Sequence, residues 1–209
     1  MMSHRIHALL LCLALAAAPA LAQNLVVNGS FEDPDYPAGV NFGALTGWSI
    51  NPDVNFEVWD GVEGPGANGD QYIEMDNTTC NSVVQTIPTE ADRDYVVTFA
   101  FGARNGVADN RVNVYWNSQL IGSASADGTN QSQIVWTYYS FLAHGGAGAS
   151  TLDFSNVDTC DSVGAMLDDV SVVERPFGIP TLDSLGLALL AAALGAAAFL
   201  ALRRRAARA

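Results

Sequence analysis

The sequence predicts an all-β sandwich over residues 23–174, and three observations carry that prediction. Short segments alternate large apolar side chains with small or polar ones. Gly, Asn, Asp and Pro separate these segments at close intervals. No segment of this stretch sustains the 3.6-residue apolar period of an amphipathic helix. In chain order the first expected strands are Leu25–Val27, Phe56–Trp59, Gln71–Met75 and Ser82–Ile87, all short and rich in β-branched or aromatic residues. Asp94–Phe101 puts Tyr95, Val97, Phe99 and Phe101 on one face, and Arg111–Asn117 does the same with Val112, Val114 and Trp116. Leu120–Ala124, the aromatic-rich Ile134–Leu142, Thr151–Phe154 and Met166–Val173 complete the set. No internal repeat and no second domain is visible.

Composition bounds the function. The chain has 209 residues, nine basic and 22 acidic, for a net charge of −13. All nine basic residues are Arg, and four of them fall in the last seven positions. The stretch 23–178 holds four Arg against 21 acids, a net charge of −17. A body this acidic repels phosphate backbones, which excludes nucleic acid as a partner. The absence of Lys excludes Schiff-base chemistry and a Walker-type phosphate lysine.

The two ends read as addresses. Residues 1–22 form a signal-peptide pattern: His4, Arg5 and His7, then apolar Ala8–Ala18, then the small-x-small site Ala20-Leu21-Ala22. At the other end, 175–178 reads as a short linker. Leu185–Leu202 is then an uninterrupted apolar run whose helical length, about 27 Å, approaches the hydrocarbon thickness of a bilayer. Arg203, Arg204 and Arg205 follow it and place the C-terminus on the cytoplasmic side, with the body outside. Export makes the remaining even pair, Cys80 and Cys160, an expected disulfide. The alternative, a pair of metal-binding thiolates, lacks a third Cys, and His144 is the only histidine of the body.

Two resemblances sharpen this reading. Ile179-Pro180-Thr181-Leu182, the apolar run and the Arg cluster together resemble the IPTL-CTERM type of C-terminal sorting signal over 179–209. That resemblance implies an exosortase-type processing enzyme as partner. It also implies anchoring in the inner membrane, followed by delivery to the cell surface or extracellular matrix. The body opens Asn24-Leu25-Val26-Val27-Asn28-Gly29-Ser30-Phe31-Glu32, has a central Gly69-Asp70-Gln71-Tyr72-Ile73-Glu74, and closes Leu167-Asp168-Asp169-Val170-Ser171-Val172. This order resembles the galactose-binding-like jelly-roll domains, among them a plant cell-wall-associated family and carbohydrate-binding modules.

The chemistry follows from those motifs. Strand alternation puts Asp168 on a face with Met166, Val170 and Val172, where a carboxylate needs a cation or several donors. The resemblance implies one structural Ca²⁺, held by the Ser30 carbonyl, Glu32 and Asp168 or Asp169. The bland alternative has one Asp capping a turn or pairing with Arg104 or Arg111. Sugars lay flat C–H faces on aromatic rings. Trp59, beside Asp60 and Gly61 at a strand end, is the leading candidate for such a contact, with Tyr72, Tyr115 and Tyr138 behind it. Trp48 is expected in the core. Neither a Gly-x-Ser-x-Gly elbow nor a diagnostic carboxylate pair marks a catalytic centre. The sequence therefore points to a non-catalytic surface module for an extracellular or cell-envelope polysaccharide. A structural or adhesive matrix protein that binds other proteins is the second reading, and a glycan-active enzyme the third.

Overall fold

The computed structural model of the chain describes residues 23–175 and 184–207. The signal peptide over 1–22 and the sorting tetrapeptide Ile179–Leu182 lie outside them. Eleven strands form two antiparallel sheets: β1 (Gly39–Gly43), β2 (Ser49–Asn51), β3 (Phe56–Asp60), β4 (Gln71–Glu74), β5 (Ser82–Ile87), β6 (Asp94–Gly102), β7 (Asn110–Trp116), β8 (Gln119–Ala126), β9 (Thr137–His144), β10 (Ser150–Asn156) and β11 (Met166–Glu174). One sheet runs β1-β3-β4-β11-β6-β9 and the other β2-β5-β10-β7-β8. The two-sheet, all-β sandwich expected from the sequence is present.

The core lies between the sheets. Val58, Ile73, Val97, Phe99, Phe101 and Leu167 of the first face Val83, Ile87, Val112, Val114, Leu152 and Phe154 of the second, and all are fully buried or nearly so. Burying such side chains contributes roughly 1.5–3 kcal/mol each. Trp48 is in this core, 5.3 Å from the Phe31 ring and 6.5 Å from Phe154, with its indole N–H donated to the Asn28 carbonyl. The β7–β8 hairpin turns at Asn117-Ser118, both at positive φ, as a two-residue loop between twisted strands requires.

Three local expectations change. β1 and β2 have no counterpart in the sequence reading, because their three to five residues are too short to show a period. Leu25–Val27 is not a ladder strand. The chain from Leu25 to Gly29 runs beside β11 through two main-chain bonds, Leu25 N–H to Val172 O and Val170 N–H to Gly29 O. Side chains do the rest: Asn24 Oδ1 accepts from Val26 and Val172, and Gln85 bonds both the N–H and the carbonyl of Val27. β11 itself is bulged between Asp168 and Ser171, with Asp169 at φ 45°. The bulge resets the alternation, so Asp168 and Met166 leave the core face while Val170 and Val172 remain on it.

The apolar run expected over 185–202 lies within the helix α1, Ser184–Ala206, which carries Arg203, Arg204 and Arg205 in its last turn. Among the described residues no helix is long and apolar enough to cross a membrane.

Cys80 and Cys160 form the expected disulfide, closing a separation of 80 residues between the β4–β5 and β10–β11 loops. Replacing both by Ser is expected to lower unfolding free energy by up to about 4 kcal/mol, read by urea melts of oxidised wild type against the variant. An unchanged midpoint would show that other contacts already fix these loops.

Candidate functional site

The outer face of the six-stranded sheet carries two rows of side chains, aligned by strand register. One row runs Val40, Trp59, Tyr72 across β1, β3 and β4, and Asp168, Ala100, Tyr138 across β11, β6 and β9. The other runs Phe42, Glu57, Glu74, Met166, Gly102. Trp136 lies over the end of the second row, where a Cβ on Gly102 would meet its ring at 3.3 Å.

A ten-residue connection between β3 and β4, Gly61 to Asp70, covers the middle of this face. Its Glu63 N–H is donated to the Tyr72 hydroxyl, and its Pro65 carbonyl accepts the Trp136 indole N–H. Two carboxylates hold the end of this segment. Asp168 is fully buried. Its Oδ2 accepts the N–H groups of Ala67 at 2.7 Å and Asn68 at 3.0 Å, and its Oδ1 accepts from Asp169 N–H at 2.6 Å. Glu32 Oε1 accepts Asp70 N–H at 2.9 Å and Gln71 N–H at 2.8 Å. Gly69, at φ 90°, lets Glu32 come this close, since a Cβ there would sit 2.2 Å from Oε1.

Glu32 and Asp168 belong to the expected calcium set. Five main-chain N–H groups address the oxygens of Glu32 and Asp168, and an N–H dipole opposes a cation. Asp169 accepts from Asn68 Nδ2 at 2.8 Å and from the Tyr138 hydroxyl at 2.7 Å. Among the described residues no group of three or more His, Cys, Asp or Glu side chains is placed to hold a metal ion. Glu32, Asp168 and Asp169 of the expected calcium set each accept hydrogen bonds from these neighbouring donors. Neither Asp pairs with an arginine, because Arg104 is taken by Glu74 and Arg111 by Asp109.

The aromatic candidates separate. Trp59 and Tyr72 are buried with Ile134 and Met166 under the covering loop, so neither offers a ring to solvent. Burial pushes the Tyr72 hydroxyl up to about 12. Tyr115 is half-buried on the other sheet, apart from the rest. Tyr138 alone of the four is exposed, at 53%, and its bond to Asp169 pushes its hydroxyl up to about 12.

The sequence reading missed two features. Glu57 and Glu74 are direct cross-strand neighbours and both are buried. Burial raises Glu74 well above the usual carboxylate range. The Gly164 N–H opposes that rise, the Glu57 charge adds to it, and the Arg104 guanidinium at 2.7 Å opposes it again. Arg104 also lies 5.0 Å over the Trp59 ring. The second feature is a groove of about 460 Å³ at the β1 edge, lined by Phe42, Asp53, Val54, Asn55, Glu57, Asn77 and Thr78. Phe42 is 58% exposed. Burial pulls Asp53 upward, but bonds from Thr78 and Asn81 outweigh it and hold the carboxyl below its ordinary value. Phe42 gave no signal because β1 was not visible as a strand.

Comparisons with known proteins bear on the two parts of the chain separately. Residues 177–205 match the IPTL-CTERM motif. No curated protein matches the chain. Among solved structures, an arabinose-bound α-L-arabinofuranosidase is similar at 16% identity and TM-score 0.51, over 75% of this chain and 27% of that one. A family 35 carbohydrate-binding module from Clostridium thermocellum is similar at 14% identity and TM-score 0.45, over 65% of this chain and 98% of that one. A xylan-binding domain from Paenibacillus barcinonensis is similar at 12% and 0.47, over 68% and 100%. The likeness to the arabinofuranosidase establishes a shared fold and nothing finer. This chain spans about a quarter of that enzyme's length.

Two outcomes test the geometry. Asp168→Ala leaves three N–H groups without their acceptor, so it is expected to cost several kcal/mol in urea melts, by the same amount in CaCl₂ as in EDTA. A penalty that appears only with calcium would support the expected metal role. Burial raises Asp168 to about 8 against the pull of its amide donors. The native state therefore keeps a proton that the unfolded chain has released between about pH 4 and pH 8. Stability in EDTA should fall as pH rises through that window, and Asp168→Asn should flatten the fall. A rise in stability over the same window would contradict this.

Proposed function

We propose that the chain is an exported, surface-sorted binding module whose β1-edge groove takes an extracellular or cell-envelope polysaccharide. The observation that carries this reading is the groove itself. It sets an exposed Phe42 ring beside Asp53, Asn55 and Asn77 in one concavity. A ring for the apolar face of a sugar, with carboxylate and amide groups for its hydroxyls, is the chemistry that recognises a neutral glycan. Tyr138, with Asp169 and Asn68, repeats the combination at β9, the opposite edge of the same sheet. Five strand spacings separate these edges, about 24 Å, so Tyr138 serves a separate sugar unit or none.

The C-terminal part of the proposal rests on the IPTL-CTERM match. Residues 185–202 hold the chain in the inner membrane, and Arg203–Arg205 keep the tail inside. An exosortase-type enzyme then releases the body outward. The module acts by binding, without catalysis.

A second reading, docking of another protein, has its own observation. Val40, Phe42 and Val54 are exposed together at a sheet edge, at 45%, 58% and 86%, and an open edge strand is a template for pairing. Trp59 contributes nothing to this surface, because it is buried.

Retention of the chain on immobilised neutral and acidic polysaccharides tests the leading reading. Phe42→Ala should weaken binding about tenfold, equivalent to ~1.4 kcal/mol, and Tyr138→Ala should weaken it less. Silence across both glycan classes, with Phe42-dependent capture of a protein ligand, would favour the second reading.

A further inference from the structure

Three buried oxygens lack any hydrogen-bond partner in the two loops that the disulfide joins: Asp76 Oδ1, Asn156 Oδ1 and Asp158 Oδ2. Asp76 is fully buried and Asn156 is 6% exposed. Each side chain is fixed from its other end. Asp76 Oδ2 accepts Asp161 N–H at 2.8 Å and Ser162 N–H at 3.0 Å. Asn156 donates its amide to Asp158 Oδ1 at 2.8 Å, and its main-chain N–H bonds the Asn81 carbonyl at 2.9 Å. The free oxygens are thus set by bonds already made, and each carries a desolvation cost without a partner. Asp76 and Asp158 also feel each other: burial pushes Asp158 up to about 6, and the Asp76 charge adds to it.

We propose that these loops bind one calcium ion through Asp76 Oδ1, Asn156 Oδ1 and Asp158 Oδ2. All three donors are hard oxygens, two of them from carboxylates whose charges a divalent ion neutralises. Soft ligands are absent from the set, since Cys80 and Cys160 are consumed in the disulfide. Irregular loops suit the variable six- to eight-fold shell of Ca²⁺ better than the strict octahedron of Mg²⁺, with main-chain carbonyls and water completing it. The Arg111 guanidinium is held by Asp109 through two bonds of 2.6 and 2.9 Å, and it bears on Asp158 through its charge and its main-chain N–H, leaving Asp76 Oδ1 and Asn156 Oδ1 unserved. This site is distinct from Ser30, Glu32, Asp168 and Asp169. Only two carboxylates take part, so it stands beside the finding that no trio of His, Cys, Asp or Glu is assembled among the described residues.

The test is calcium titration and thermal melting of the full chain, at about 10 mM CaCl₂ against EDTA, the range over which extracellular calcium sites fill. One ion should bind per chain and raise Tm by about 5 °C or more. Asp158→Asn should lose most of that rise while melting in EDTA no lower than wild type, since it relieves repulsion by Asp76. Glu32→Gln should keep the rise. Asp76→Asn is a second check, though loss of its amide bonds lowers its baseline. Absence of any calcium-dependent shift overturns the proposal. So does a shift that survives Asp158→Asn, or one that only Glu32→Gln abolishes.

Discussion

The burial of the Asp168 carboxylate beneath main-chain N–H groups is the constraint on which the candidate surface depends. A carboxyl group at zero exposure, protonated or not, requires hydrogen-bond partners. This body has few cations to give, and Arg93, Arg104 and Arg111 are taken by other acids. The amides of Ala67 and Asn68 meet the need, and Glu32 takes the next pair, Asp70 and Gln71. The segment Gly61–Asp70 is thereby drawn down over the sheet. Its descent turns Trp59 and Tyr72 from surface rings into a second small core with Ile134 and Met166. The ligand chemistry is displaced to the two edges of the sheet, where Phe42 and Tyr138 stay exposed.

Side chains also replace ladder bonds at the N-terminal segment. Asn24, Gln71 and Gln85 bond its main chain from three directions. This lets residues 24–33 pack against both sheets without joining either as a strand. The disulfide, and the Asp161 and Ser162 N–H groups donated to Asp76, fix the β4–β5 and β10–β11 loops. Asn77 and Thr78, which line the groove, follow Asp76 directly in the chain. A cation at Asp76 would therefore order one wall of the groove, although neither site requires the other.

Much of the fold was legible in the sequence, for physical reasons. Asp94–Phe101 and Arg111–Asn117 declare themselves because a half-buried strand must alternate, and the structure buries Tyr95, Val97, Phe99 and Phe101 as their spacing demands. The disulfide was legible from an even pair of cysteines in an exported chain. Alternation was misleading at Asp168, because a bulge shifts phase by one residue and leaves no mark in composition. Trp59 and Tyr72 were expected as exposed sugar contacts, and the structure buries both. What the sequence withheld was the loop above them, although four glycines and a proline between Gly61 and Gly69 marked a connection too long for a tight hairpin. The groove at Phe42 and the orphaned oxygens at Asp76, Asn156 and Asp158 arise from long-range contacts that no local pattern encodes.

Amide hydrogen exchange tests the central claim most directly, because it reads the carboxylate-held N–H groups one by one. The amides of Ala67, Asn68, Asp70 and Gln71 should exchange slowly, on the scale of β4 and β11, although Ala67, Asn68 and Asp70 lie in a connecting loop. Exchange of these four as fast as that of the exposed Ala147–Gly148 turn would show that the loop is not clamped, and that the outer face is open along its whole width.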